Sequence, residues 1–299
     1  MRYRSAGAAL LTALVLGATP TLADPEEQGP KVSWVKGPSN IDLGKDIARL
    51  QLLEGFQFAG ADDTRGILTR MGNRPNGSEL GLVVPSAEDQ DWFIVFEWQP
   101  VGYVKDDEKD KIDADALLKT IQEATEEGNA WRKENSIPAL HVTGWAEPPR
   151  YDSETHNLVW ATLSKNEAGH LGSNYNMRLL GRSGFVSAVL VESPDKLAAS
   201  KVVAHSVIKG FSFKAGSSYS EWKAGDKIAE YGLTALVAAG AGAAAVKFGL
   251  FALLGKFLAK SFKLILVLLA GLGASLLKMW NSIRGRTKSQ QPPPGPPPT

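Results

Sequence analysis

The chain of 299 residues contains no cysteine. That excludes a disulfide framework, a thiolate metal site and a cysteine nucleophile. A second absence is local. After Glu230 there is not one aspartate or glutamate, while Lys247, Lys256, Lys260, Lys263, Lys278, Arg284, Arg286 and Lys288 punctuate two long apolar runs. A carboxylate in or beside hydrocarbon is costly and basic flanks fix orientation, so a membrane segment sheds its acids where a soluble domain has no reason to. Strong overall charge is missing too, the formal net charge being +1. That near-neutrality conceals two opposed halves, since residues 24–225 carry 30 acidic and 22 basic side chains and residues 231–299 carry eight basic and none acidic. An acidic main domain disfavours nucleic acid as a partner, because phosphate binding needs a basic face.

What is present at the N-terminus reads as an export signal over residues 1–23. Arg2 and Arg4 precede an apolar stretch too short to span a bilayer, and Thr21-Leu22-Ala23 offers small residues for cleavage before Asp24. An uncleaved anchor helix is the competing reading. The sequence divides further into an exported domain at 24–225, a transmembrane helical region at 226–280 with spans near 232–254 and 262–280, and a basic, proline-rich disordered tail at 281–299.

The first apolar run, 232–254, is interrupted by Lys247. Its nine Leu, Val and Phe residues contribute roughly −0.3 to −0.6 kcal/mol each against roughly +2.5 to +3.5 for a central lysine, a sum near break-even or mildly favourable for insertion. Small residues recur four apart at Ala238–Gly242 and Gly240–Ala244, the spacing that lets helices approach closely and a candidate route to a homo-oligomer; simple Ala/Gly filler is the alternative. The second run, 264–277, has no charge. With its flanks to Trp280 it reaches roughly 28 Å as a helix, enough to cross with Lys263 and Lys278 snorkelling. Two topologies compete: a hairpin of both runs, which the sequence reading prefers, and a single span through run two with Lys256, Lys260 and Lys263 on one face of an interfacial helix.

Within the exported domain, the aromatic and β-branched segment 91–98 predicts a strand. Segments 140–146 and 157–164 flank a turn-rich stretch at 147–156, predicting a hairpin with a long loop. Segments 174–180 and 185–192, joined by Gly181-Arg182-Ser183-Gly184, predict a tighter one. Asp113 is placed to cap a helix whose Leu117, Ile121, Ala124, Gly128 and Trp131 share a face. Ser193-Pro194 is expected to open another, running to about Lys209. Residues 42–53 read as a strand or strand pair and 62–71 as a short helix. The order predicts an α+β fold, an antiparallel sheet with packed helices, followed by the C-terminal transmembrane α-helical region.

Several segments of this domain resemble the bacterial DUF2167 family. They are Val101-Gly102-Tyr103-Val104-Lys105-Asp106-Asp107-Glu108 with Ile112-Asp113-Ala114-Asp115, and Gly144-Trp145-Ala146-Glu147-Pro148-Pro149-Arg150-Tyr151-Asp152 with Leu158-Val159-Trp160. Asn174-Tyr175-Asn176, Leu180-Gly181-Arg182 and Asp226-Lys227-Ile228-Ala229-Glu230-Tyr231-Gly232-Leu233 are similar too. The resemblance covers most of the chain. It implies a membrane-anchored protein without an established activity and contributes no catalytic residue.

The residues themselves assemble no recognised catalytic pattern. His141, His156, His170 and His205 lack metal-ligand spacing, His141 and His205 reading as structural. Ser183 misses the nucleophile-elbow pattern and sits in a hairpin turn. The acid run at 106–115 fails as a calcium loop, with Lys111 where glycine and Leu117 where glutamate are required, and reads as a solvated approach to a helix cap. No cofactor or metal is expected. The best binding candidate is the 145–160 loop, with Trp145, Arg150, Tyr151, Asp152, His156 and Trp160 as its polar and aromatic anchors; the plainer reading makes both tryptophans core. The leading expectation is a non-enzymatic binding or scaffolding module in the cytoplasmic membrane, its main domain extracytoplasmic, with the lipid bilayer and an envelope protein as partners. The alternatives are an envelope hydrolase using carboxylates such as Asp107 or Asp152, and a membrane assembly built through the Gly/Ala-rich helix.

Overall fold

A computed structural model of the protein describes residues 31–239. In chain order the elements are β1 (Trp34–Lys36), β2 (Ser39–Leu43), β3 (Ala48–Leu52), β4 (Phe56–Gly60), α1 (Ala61–Arg70), β5 (Glu79–Pro85), β6 (Phe93–Gln99), α2 (Ala114–Glu134), β7 (Leu140–Asp152), β8 (Asn157–Asn166), β9 (Leu171–Leu180), β10 (Phe185–Glu192), α3 (Leu197–Lys209), β11 (Phe211–Phe213) and α4 (Leu233–Ala239). The fold is α+β. Eight antiparallel strands form the main sheet in the order β1-β4-β5-β6-β10-β9-β8-β7, and β11-β3-β2 form a small second sheet.

Every residue of β10 is buried, because both faces of the sheet are covered. On one face Val186, Ala188 and Leu190 join Tyr175, Met177 and Leu179 of β9 beneath Leu197, Ala204 and Val207 of α3 and Leu43, Leu50 and Leu52 of the small sheet. On the other, Val189 and Val191 pack with Leu68 of α1, while Phe185, Leu158 and Trp160 pack under α2 and α4. Asp113 caps α2, its carboxylate accepting the Ala116 N–H at 3.0 Å, and Leu117, Ile121 and Ala124 form the buried stripe. The stripe ends there: Gly128 is exposed and Trp131 half-buried.

Between the two clusters on that second face runs a row of polar residues in cross-strand register: Glu79, Glu97, Ser187 and Arg178. All four are buried. The Arg178 guanidinium lies 4.7 Å from the Trp160 ring centroid and 5.8 Å from that of Phe185, and its Nη1 donates to Ser187 Oγ at 2.7 Å. Its Nε and the Nε2 of nearby Gln99 have no hydrogen-bond partner among the described residues. Burial pushes Arg178 down to about 10, with Glu97 opposing. It pushes Glu97 up to about 7; Arg178 works against that rise and Glu79 adds to it. The Glu79 carboxylate accepts from the Asn76 and Gly77 N–H groups at 2.9 Å each.

Three sequence expectations are revised, and four strands are added. The stretch 147–156 is not a long loop: β7 continues through Glu147, Pro148, Pro149 and Arg150 to Asp152, leaving only Ser153 to His156 as the turn. The prolines are tolerated because β7 is an edge strand whose register with β8 slips at three bulges, two of them bracketing Glu147. Helix α3 starts at Leu197, three residues after Pro194, because Ser193 to Lys196 close a turn stitched by the buried Glu192 carboxylate to Ser193 and to Ser200 Oγ. Strands β1, β4, β5 and β11 had no sequence forecast; β1 and β11 have three residues each, and β4 and β5 carry glycines that blur alternation.

The third revision concerns the boundary at residue 225. The chain continues within the domain, and Leu233, Leu236, Val237 and Ala238 of α4 are buried in the cluster that contains Leu117, Ile121 and Ala124 of α2. The start of the first apolar run therefore serves the core. Among the described residues no helix is long and apolar enough to cross a membrane. The remainder of the expected spans, the tail and residues 1–30 lie outside the described residues.

The buried carboxyl of Glu97 makes stability pH-dependent. Its folded pKa lies above the ordinary 4.5, so its contribution is complete below about pH 4.5 and is lost as the pH rises to about 7, on the order of 3 kcal/mol in all. Glu97→Gln should abolish that slope in urea unfolding of the full-length protein. Parallel pH profiles for the two proteins would show that the buried row does not titrate.

Candidate binding face

Where the sheet ends at the β9–β10 turn, a strap of chain at 214–232 crosses the domain and leads into α4. Arg182, in that turn, donates from Nε and Nη2 to the two oxygens of Asp226, both at 2.7 Å. Those bonds, with the Lys223 N–H, hold the Asp226 carboxyl down at about 2. The strap also pairs with the segment after β6: the Tyr103 N–H donates to the Lys227 carbonyl at 2.8 Å and the Ala229 N–H to the Tyr103 carbonyl at 2.9 Å. Gly102 permits this approach. Its φ is +103°, and a Cβ there would stand 2.8 Å from the Lys227 carbonyl oxygen. Further on, Glu108 Oε2 accepts the Thr234 N–H at 3.1 Å, fixing the first turn of α4.

An aromatic cluster joins the strap to the segment after β6 and to the β7–β8 turn. Tyr103 stacks on Tyr219 at 4.4 Å between centroids, Trp222 lies 5.4 Å from Tyr103, and His156 packs 4.3 Å from Tyr219. The Tyr219 hydroxyl donates to the Val104 carbonyl at 2.9 Å. The Tyr151 hydroxyl donates to Asp106 Oδ2 at 3.3 Å and lies 3.1 Å from His156 Nδ1. Burial, then the Asp106 carboxylate, push the Tyr151 phenol above its ordinary value; burial, then Tyr103, do the same for Tyr219. Both therefore stay neutral at ordinary pH.

A second polar group lies on the opposite face, between β7 and α3. Lys201 pairs with Glu147 and sits 4.4 Å from the Tyr175 ring centroid; Arg150 Nη2 is 3.9 Å from Glu147. Tyr175 Oη meets His205 Nε2 at 3.2 Å. Burial, followed by the Glu147 charge, pushes Tyr175 up to about 12, and burial with Lys201 lowers His205. The mutual pairing of these groups ties the edge strand to the helix.

The six residues picked from the 145–160 loop divide between these places. Trp160 is 1% exposed, and Trp145 is half-buried in the same cluster with its Nε1 donating to the Ala114 carbonyl at 3.2 Å, so both tryptophans pack inward. Tyr151 and His156 belong to the aromatic cluster. Arg150 turns to the Glu147–Lys201 group, and Asp152 Oδ1 accepts the Glu154 and Thr155 N–H groups that close the β7–β8 turn. Asp107, the other carboxylate weighed for hydrolysis, is exposed. Ala238 is buried in the domain, while Gly240, Gly242 and Ala244 lie outside the described residues. His141 Nδ1 meets Glu126 at 2.7 Å, and Ser183 lies in the hairpin turn as expected. Asp106, Tyr103, Tyr219 and Trp222 escaped the sequence reading as a site. Tyr103 and Asp106 lie in segment 101–108, which meets the strap carrying Tyr219 and Trp222 only in three dimensions.

The Arg182–Asp226 pair should govern the strap. In Arg182→Gln, hydrogen exchange at the Tyr103 and Ala229 amides is expected to quicken about tenfold or more, with the β9 and β10 amides unchanged. Unaltered protection at both amides would assign the strap's hold to packing alone.

Comparison with solved structures returns, among others, the solution structure of cyanobacterial PsbP (CyanoP) from Synechocystis sp. PCC 6803. The match has 10% identity, covers 64% of this chain and 98% of that one, and has a TM-score of 0.34, too low to bear on fold or function. Comparison with curated proteins finds no match. Comparison with protein families matches residues 35–273 to "Protein of unknown function (DUF2167)". Two of the segments that come together at the strap lie within that range, and the chain belongs to the DUF2167 family.

Proposed function

We propose that the protein is a non-enzymatic cell-envelope module, exported, anchored in the cytoplasmic membrane and presenting its α+β domain on the extracytoplasmic side to bind or scaffold an envelope partner. One observation carries the reading: no free linker separates the domain from the acid-free apolar sequence. Arg182–Asp226, the Tyr103 pairing and the buried side of α4 hold the chain up to residue 238 against the domain. Beyond Ala239 the sequence is rich in apolar residues and its only charged side chains are cationic.

The same junction favours one span over two. Full burial of a Leu or Val in a protein core is worth roughly 1.5–3 kcal/mol, more than the ~0.3–0.6 each contributes to insertion, so α4 stays with the domain. Residues 240–254 would then reach only roughly 22 Å as a helix, short of the ~30 Å of hydrocarbon, with Lys247 at their middle. Run two, 264–277, is the better anchor, which reverses the preference for a hairpin. Arg284, Arg286 and Lys288 would face the cytoplasm. A homo-oligomer through Gly240, Gly242 and Ala244 would then form at the membrane surface rather than within it.

Fractionation with topology reporters tests the proposal. The full-length protein should sediment with membranes, resist high salt and require detergent for release. Reporters after Lys263 and after Lys288 should report opposite sides. Recovery in the soluble fraction, or a domain reachable only from the cytosol, would overturn it.

A further inference from the structure

The strap carries a feature that its internal contacts do not use. Trp222 is 38% exposed and Ile228 43% exposed, two large apolar side chains six residues apart on a segment fixed to the domain. Trp222 rests one side on Tyr103, so the indole is held in place with its outer side open. Lys223 and Lys227, each next to one of these apolar residues, are exposed as well. The acids nearby are largely occupied. Asp226 is taken by Arg182, and Glu221 accepts the Gly216 and Ser218 N–H groups, which leaves Glu230 as the exposed carboxylate of the strap.

An indole with one apolar and one polar side, an aliphatic side chain and flanking lysines form the combination that suits the boundary between headgroups and acyl chains. Scattered exposed apolar residues are ordinary on soluble surfaces, and Leu171 and Val202 are more exposed than either strap residue. The strap differs in its place along the chain. Ile228 precedes α4 by five positions, and the apolar, acid-free sequence begins with α4 and continues beyond it. Leu171 opens β9, at the far end of the sheet from the β9–β10 turn to which the strap is tied.

We infer that the outer side of the strap at 222–228 lies in the headgroup layer of the bilayer, with Trp222 and Ile228 entering the acyl-chain boundary and Lys223 and Lys227 pairing with anionic lipid phosphates. This rests on the anchored reading of the protein and adds to it a defined face of the domain against lipid. The domain is then laid on the membrane by its strap rather than held away from it. The face bearing the β1 edge and the end bearing Leu171 stay free for a partner.

The native chain has no cysteine, so a single thiol can be introduced at each position. Full-length Trp222→Cys, Ile228→Cys, Leu171→Cys and Val202→Cys variants would carry an environment-sensitive fluorophore. They would be reconstituted into vesicles of phosphatidylcholine and phosphatidylglycerol containing a nitroxide-labelled lipid, and near-ultraviolet circular dichroism would verify the fold of each. The expected result is a blue shift and loss of most emission at 222 and 228, with the Leu171 and Val202 probes quenched only by a water-soluble agent. Lys223→Glu combined with Lys227→Glu should restore emission at 228, as should omission of phosphatidylglycerol. If the protein enters the vesicles while the strap probes respond only to the aqueous quencher, this inference fails and anchoring stands. Probes shielded from both quenchers would mean that protein covers the strap, which also overturns it. Failure to associate with vesicles at all would remove both readings.

Discussion

A guanidinium deep inside a sheet has no water to solvate it, and the arrangement around Arg178 answers that constraint. Its planar face meets the rings of Trp160 and Phe185, one nitrogen donates to Ser187, and the Glu97 charge lies close by in the same cross-strand row. Removing one partner of such a buried group leaves the other uncompensated, which typically costs about 3–5 kcal/mol, so the row is sensitive to any change in register. A slip of β9 by one residue would carry Arg178 to the opposite, apolar face, among Tyr175, Met177 and Leu179. The charged row thus selects one alignment of the central strands. Everything attached to the end of β9 and β10, the Gly181–Gly184 turn included, inherits its position from that alignment.

From that turn the connections run to the strap and α4. Arg182 holds Asp226, the strap pairs with Tyr103, and Glu108 holds the start of α4. A charged pair, a two-bond backbone bridge and a buried apolar helix face act on one short stretch of chain. The aromatic cluster of Tyr103, Tyr219 and Trp222 joins the strap to the segment after β6.

The candidate site was only half legible in the sequence. Tyr151 and His156 were singled out, and they do meet, with Asp106 and Tyr219 as further partners. The grouping of all six loop residues on one surface failed because β7 is a strand there: Arg150 and Tyr151, adjacent in sequence, point to opposite faces, and a turn consumes Asp152. Bulges at the two prolines shift the alternation further, so no simple period marks which residues face together. Reading both tryptophans as core was sound, since rings that large in an alternating strand pack inward. The Glu97–Arg178 row left no trace, because a sheet covered on both faces does not show which of its polar residues are buried.

Local chemistry sufficed for the α+β class, the helix beginning after Asp113 and the tight hairpin at Gly181–Gly184, because capping, periodicity and turn residues act within a few positions. The concentration of acids before Glu230 and their absence after it is likewise a matter of composition alone. Where the domain ends was decided by tertiary packing. The same leucines and valines serve a bilayer or a protein core, and only the apolar stripe of α2, well over a hundred residues earlier, with Glu108 and Tyr103 beside it, commits the chain through residue 238 to the domain.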